Sequence, residues 1–366
     1  MQIPPLQDLH VRLVAKCNLN CKHCYASDWF VRSEQLDTAM VIDTIEQARE
    51  LGLQKVTFTG GEPTLHRDLA SLLQHCVYRR LRTKLETNGL LLDHRDGLIR
   101  DILIEHRDLL YLYVSYDLAE QRGMSDDEHQ HVRDLVIYLH NHGVDVRLQT
   151  TLTTVNIGQL EQLLELSREY GIHQRIFLGH SISGNGVDLT PFDFDFVMST
   201  YDYLRSLNLN LDLELPPLIT GKVQKGCGWG VYRCELMANG DVTTCGPTTF
   251  TNTGFIAGNV RNTSLRELWE NSTFFRSMRD IKQSDFDGVC GRCVYWEECR
   301  GSCRSVAWSR GKTWFSPYPL CEMFAERHPN HVAHLLMPVA PSSLENRSRL
   351  QGTGILRDSV NLPILS

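Results

Sequence analysis

Apolar residues recur along the first two hundred positions with two rhythms. A period of two marks strands and a period near 3.6 marks helices. Val11, Leu13 and Ala15 alternate over His10–Ala15 and predict a first strand. Leu36–Leu51 places Val41, Ile45 and Ala48 on one helical face and stops at Gly52. The same reading gives strands over Lys55–Thr59, Thr83–Thr87, Tyr111–Ser115, Val144–Thr151 and Arg175–Leu178. Between them it places helices over Asp68–Arg79, Asp93–His106 and Asp127–His142, and one capped by Asn156; a last helix follows over Phe192–Ser206. Six alternating strand–helix units make this an α/β chain with a parallel sheet. Ligands of such sheets sit at the carboxyl ends of the strands. From Cys227 the pattern changes. Tyr232–Met237 and Val242–Cys245 predict a hairpin through Asn239-Gly240, followed by a helix over Leu265–Met278. The division expected is residues 1–215, residues 216–330, and a tail at 331–366 that is either disordered or a cover for the active site.

Composition narrows the chemistry. The 366 residues are 42% apolar, enough for one large or two medium cores. A net charge of −7 without a basic stripe argues against a nucleic-acid partner. The longest apolar runs fall short of a membrane span, and Met1-Gln2-Ile3-Pro4-Pro5 is not a signal peptide. A cytoplasmic location is therefore expected, where structural disulfides are rare, and the 12 cysteines read as metal ligands. Cys76 is the exception: it falls on the apolar face of its helix and reads as a small buried hydrophobe.

The most informative stretch follows the first strand: Cys17-Asn18-Leu19-Asn20-Cys21-Lys22-His23-Cys24. Soft thiolates select zinc, copper(I) or iron–sulfur clusters. Three are one too few for a closed zinc site or for a fully ligated cubane; a cubane on three cysteines keeps one iron open. After the second strand comes Gly60-Gly61-Glu62-Pro63, where glycines let backbone approach a ligand and the glutamate can accept from an ammonium. Together these motifs resemble the radical S-adenosylmethionine (SAM) enzymes. The resemblance implies a partial (β/α)6 barrel and a [4Fe–4S] cluster on Cys17, Cys21 and Cys24, whose open iron chelates SAM and cleaves it to a 5′-deoxyadenosyl radical. It also implies SAM contacts from His23 and Tyr25, from Gly60, Gly61, Glu62 and Pro63, from Thr87 and Asn88, and from Ser115 and Asp117. Leu118 departs from the glycine usual after the acidic residue. Arg147 is expected to share a face of the fifth strand with Gln149 and Thr151; it either holds the SAM carboxylate or sits at the barrel rim.

The later cysteines form a second pattern. Cys227, Cys234, Cys245, then Cys290-x2-Cys293-x5-Cys299-x3-Cys303, then Cys321 resemble the SPASM extension of radical SAM enzymes. The resemblance implies two auxiliary [4Fe–4S] clusters, making three in all: one on Cys227, Cys234, Cys245 and Cys303, the other on Cys290, Cys293, Cys299 and Cys321. Two readings of Cys234 stay open, cluster ligand or free thiol and hydrogen donor. Zinc is the alternative occupant of the cysteine pairs.

The implied activity is hydrogen abstraction from a ribosomally made peptide, leading to a crosslink, thioether, epimerisation or excision. A small molecule such as an antibiotic sugar is the alternative substrate. A non-catalytic electron-transfer scaffold is a third reading, disfavoured by the intact SAM motifs. A flavodoxin- or ferredoxin-type protein would supply electrons. About nine residues precede the first strand, so a peptide would need a separate recognition protein or direct capture by the barrel. Gly246 follows Cys245 where sulfatase-maturing relatives carry an aspartate, which argues against that reaction.

Overall fold

The structure, a computed structural model, describes residues 3–29, 33–94, 96–178, 184–189, 193–213, 215–223, 226, 228–249, 255–311 and 313–338. Its strands are β1 (Asp8–Arg12), β2 (Lys55–Thr59), β3 (Arg82–Thr87), β4 (Leu110–Ser115), β5 (Asp145–Leu152), β6 (His173–Leu178), β7 (Leu211–Leu213), β8 (Arg233–Leu236), β9 (Asp241–Thr243) and β10 (Ile256–Asn259). Among the described residues they form one ten-stranded sheet in the order β10-β9-β8-β1-β2-β3-β4-β5-β6-β7. Strands β1 to β7 are parallel, joined through helices, and form the partial barrel.

Strand alternation divides the side chains. Leu9, Val11, Val56, Phe58, Leu85, Leu112, Val114, Val146 and Leu148 are buried in the apolar core with the helices. The intervening residues face the concave side, and the register stacks them: His10 lies opposite Thr57, Thr57 opposite Lys84, and Lys84 opposite Tyr111. The barrel interior is thus lined with charged and phenolic groups. Cys76 lies wholly within the apolar core, as its helical spacing requires.

Several features differ from the sequence reading. Asn156 accepts from the Thr153 amide rather than capping a helix, and the helix expected after it is broken into Leu160–Leu163 and Glu165–Tyr170. A seventh parallel strand, β7, extends the six. The helix expected over Leu265–Met278 is two helices, Leu265–Asn271 and Thr273–Asp280. Ser272 interrupts it with an extended backbone and accepts from the Phe274 amide, capping the second helix. The hairpin forms as expected around Gly240, at φ 90°, but it is not a separate layer. β8 pairs in parallel with β1, from Asp8 opposite Arg233 to Val11 opposite Leu236. The cysteine-rich region therefore continues the barrel sheet across residue 215. The expected tail from residue 339 onward lies outside the described residues. No helix among the described residues is long and apolar enough to cross a membrane.

Candidate active site

Three loops meet at the carboxyl ends of β1, β2 and β3. The first holds Cys17, Cys21 and Cys24, all partly buried. Backbone amides point at two of the sulfurs: Leu19 donates to Cys17 Sγ at 3.4 Å and Ala26 to Cys24 Sγ at 3.4 Å. Cys21 Sγ stands 3.7 Å from the Arg122 carbonyl. Burial pushes the Cys17 thiol up to about 12 and Cys24 to about 11. Such thiols ionise when a metal takes them, and amide donors then stabilise the thiolates.

The second loop is held against the first by glycine. Gly61 donates to the Val14 carbonyl at 2.8 Å, and Glu62 donates to the Lys16 carbonyl at 3.0 Å. A Cβ on Gly61 would stand 2.2 Å from the Lys16 carbonyl oxygen, so only glycine permits this approach. Pro63 opens the short turn that follows. Glu62 is buried and links the second loop to the third. Its Oε1 accepts from Thr64 N (3.0 Å), Thr64 Oγ1 (2.6 Å) and Thr87 Oγ1 (2.7 Å), and its Oε2 from Asn88 N (2.8 Å). Burial raises its pKa; these donors oppose the shift. One lone pair on Oε2 is left for a further donor. The Asn88 amide reaches Asn18 Oδ1 at 2.8 Å and approaches Cys17 Sγ at 4.0 Å.

After β4, His23 Nε2 lies 3.3 Å from Asp117 Oδ2. Asp117 is buried, accepts from Thr151 N at 3.0 Å, and has its pKa raised by burial against the pull of His23 and Arg122. Ser115 ends β4 opposite Gln149. Leu118, the departure from glycine, is buried at the start of a four-residue helix, Ala119–Arg122.

That helix carries a residue the sequence reading missed. The Arg122 side chain is fully buried; Nη2 donates to the Asn88 carbonyl at 3.0 Å, while Nε and Nη1 have no hydrogen-bond partner among the described residues. Burial raises the Cys21 thiol pKa, and the Arg122 charge opposes that shift. The N–H donors on Nε and Nη1 lie on opposite edges of this buried guanidinium, and either can meet a carboxylate oxygen. The available signal was Arg122-Gly123 closing a short segment after Asp117; Gly123 is left-handed at φ 68°.

Arg147 corrects an expectation. It faces inward, but Asp145, two residues earlier on the same face, captures it with two hydrogen bonds of 2.9 and 2.8 Å. Its charge lies over Tyr111 and Tyr113, toward the amino end of β5. Arg147 is thereby set apart from the group around Cys17, Glu62 and Arg122. The Tyr25 hydroxyl accepts from Arg12 Nη2 at 2.8 Å.

In the second region Cys290, Cys293, Cys299 and Cys321 line one cavity with Trp296 and Tyr318. The Tyr318 amide donates to Cys290 Sγ at 3.3 Å. Burial raises all four thiol pKa values, and neighbouring cysteines in the cavity add to the shift for Cys293, Cys299 and Cys321. The donor set fits a soft metal centre. The other expected set is less complete. Cys227 lies outside the described residues; Cys245 is partly buried, with Sγ 3.3 Å from Ser305 Oγ; Cys303 is exposed. Cys234 departs from the expectation. It is wholly buried in the apolar core, on the face of β8 opposite Glu235. Glu235 pairs with Thr243 across the hairpin and accepts from the Gly246 amide, so Cys245 follows the Glu235 face and Cys234 the other.

Residues 11–167 match the model of the Radical SAM superfamily, and residues 227–294 match that of an iron–sulfur cluster-binding domain, SPASM. An AdoMet-dependent heme synthase of Oleidesulfovibrio alaskensis is 25% identical over 346 residues, covering 86% of each chain. The mycofactocin maturase MftC of Mycobacterium tuberculosis is 28% identical, over 84% of this chain and 81% of its own. The PqqA peptide cyclase of Xanthomonas oryzae is 26% identical, over 90% of each. Among solved structures, Streptococcus suis SuiB bound to its precursor peptide SuiA superposes with a TM-score of 0.70 at 19% identity, over 87% of this chain and 76% of that one.

Proposed function

We infer that this chain, a radical SAM enzyme with a C-terminal SPASM domain, modifies a ribosomally made peptide by abstracting a hydrogen atom. One observation carries the reading: an enzyme named as a peptide cyclase and one named as a maturase match the chain nearly end to end, barrel and cysteine-rich region together. Cys17, Cys21 and Cys24 would hold a [4Fe–4S] cluster. When bound, that cluster supplies the electron that splits SAM into methionine and a 5′-deoxyadenosyl radical. The chain's own groups prepare the site. The Leu19 and Ala26 amides orient two sulfurs. The remaining Oε2 lone pair of Glu62 would take the SAM ammonium, and an Arg122 N–H donor would take its carboxylate. Asp117 fixes the His23 ring, which would contact the adenine. Cys290, Cys293, Cys299 and Cys321 would hold an auxiliary cluster, and Cys227, Cys245 and Cys303 would contribute to another. A flavodoxin- or ferredoxin-type protein supplies electrons.

A second reading has its own support. AdoMet-dependent heme synthases from three organisms match at 25–26% identity, which favours a small-molecule substrate. The test begins with anaerobic reconstitution. About twelve irons per chain follow from three four-iron clusters, with 5′-deoxyadenosine formed by the native chain and lost in Cys17→Ala/Cys21→Ala/Cys24→Ala. A short peptide encoded beside the gene should then change mass in a SAM-dependent way. An unchanged peptide, with deoxyadenosine release coupled instead to consumption of a small molecule, would establish the second reading.

A further inference from the structure

Arg12 is the last residue of β1 and Glu235 lies on β8, so their ion pair joins the barrel to the cysteine-rich hairpin. Both side chains are buried, 5% and 4% exposed. Arg12 Nε donates to Glu235 Oε1. Its other nitrogens reach the SAM side: Nη2 donates to the Tyr25 hydroxyl at 2.8 Å, and Nη1 faces the Gly60 carbonyl at 3.5 Å. Glu235 reaches the other way, and its Oε2 accepts from the Gly246 amide at 2.6 Å. One buried pair thus touches the residue after Cys24, the first glycine of the Glu62 loop and the residue after Cys245.

The fit leaves no slack. A Cβ on Gly246 would stand 2.7 Å from both Arg12 Nε and Glu235 Oε1, so a side chain there and the pair exclude one another. The carboxylate at this point of the wall comes from the strand, through Glu235, rather than from position 246. Removing one partner of a buried pair leaves the other charge uncompensated, so the two behave as a unit.

We propose that Arg12 and Glu235 are positioning residues: a clamp that fixes the Cys245 hairpin to the SAM-binding loops, so that SAM binding is felt at the hairpin. The proposal rests on SAM occupying the site formed by Glu62 and Arg122. Coupling of this kind is reciprocal, typically five- to 150-fold in affinity. It needs a contact that differs between the empty and filled states; Gly60, whose carbonyl Arg12 Nη1 faces at 3.5 Å, is the contact the proposal requires to change.

The test is hydrogen exchange by mass spectrometry on the anaerobically reconstituted full chain, with and without SAM. In the native chain SAM should slow exchange at 59–64 and also, about fivefold or more, at 233–246, a segment that does not touch the cofactor. Glu235→Gln should keep the first effect and lose the second. Gly246→Ala, whose Cβ would crowd Arg12 Nε and Glu235 Oε1 while both charged side chains are kept, should do the same and decides the matter if Glu235→Gln does not fold. Protection of 59–64 alone in the native chain overturns the clamp and leaves the SAM reading intact. So does hairpin protection that survives in the folded variants. If SAM protects neither segment, the clamp and the SAM site fall together.

Discussion

Replacing Cys234 by alanine separates two incompatible accounts of the cysteine-rich region. The resemblance of the cysteine pattern offers Cys234 as a cluster ligand or as a free thiol, whereas its position on β8 makes it core. The thiol is fully buried among apolar side chains, and the charges that act on it are Asp8, Glu235, Arg233 and Arg279. As a core residue, Cys234→Ala loses the burial of one sulfur. On the order of 40 Å² at about 25 cal/mol per Å² gives about 1 kcal/mol, with about 0.5 kcal/mol more for the small cavity. Cys234→Ser should be worse, because a buried hydroxyl without a partner costs about 1–3 kcal/mol. The assays are thermal melting, iron content and the electron paramagnetic resonance spectrum of the reduced chain. The expected result is unchanged iron and spectrum in both variants, with melting lowered by a few degrees for alanine and further for serine. A ligand would reverse that order, since a serine oxygen can still coordinate iron and alanine cannot. Lost iron, an altered auxiliary spectrum or milder damage from serine would refute the core assignment.

Three further outcomes follow. Arg122→Met should weaken SAM binding about tenfold to a hundredfold, the worth of a charged hydrogen bond, as measured by equilibrium dialysis on reconstituted protein; unchanged affinity would remove Arg122 from the site. Gly61→Ala should abolish SAM binding while iron still loads on the cysteine loop, because its Cβ collides with the Lys16 carbonyl; tight SAM binding in this variant would show that the loop need not lie as it does. His10, between Asp8 and Arg233 and near Lys84, has its pKa pulled down to about 4 by burial and the Arg233 charge, against the pull of Asp8. The unfolded chain, with histidine near 6.5, therefore binds the proton that the folded chain resists. Stability should rise with pH from about 4 to about 6.5 and be complete above that. Denaturant melts across this range should show a flatter profile in His10→Gln, and an identical slope would exclude the imidazole as the source.

Local pattern was a good guide where a single strand or helix decides the outcome. Val11, Phe58, Leu85 and Val114 alternate because each strand buries one face, and that signal is present in any short window. Glu62 was legible because a carboxylate after two glycines has few purely structural uses. What escaped were relations between distant segments. Arg12 and Glu235 are 223 residues apart, and neither stands in a motif. The parallel pairing of β8 with β1 has no local signature, since an isolated hairpin reads the same whether or not it joins another sheet. For Arg147 two places were left open, the SAM carboxylate and the barrel rim; its face was right, and the pairing with Asp145, two residues away, fits the rim. Arg122 was overlooked because one arginine in a four-residue helix creates no periodicity. Ser272 shows how capping overrides period, since the apolar spacing through Trp269 and Phe275 continues across a break in the backbone.

The pairing of β8 with β1 also decides how this protein can be cut and recombined. A fragment ending near residue 215 would expose β1 as a bare edge with Leu9 and Val11 behind it, ready to pair with another copy. Such a truncation should precipitate rather than yield a working barrel. Chimeras with relatives meet the same seam. A crossover placed between barrel and cysteine-rich region keeps one parent's β1 and takes the other's β8, mismatching the register from Asp8–Arg233 to Val11–Leu236. Grafts should exchange the two strands together, though 223 positions separate Arg12 from Glu235.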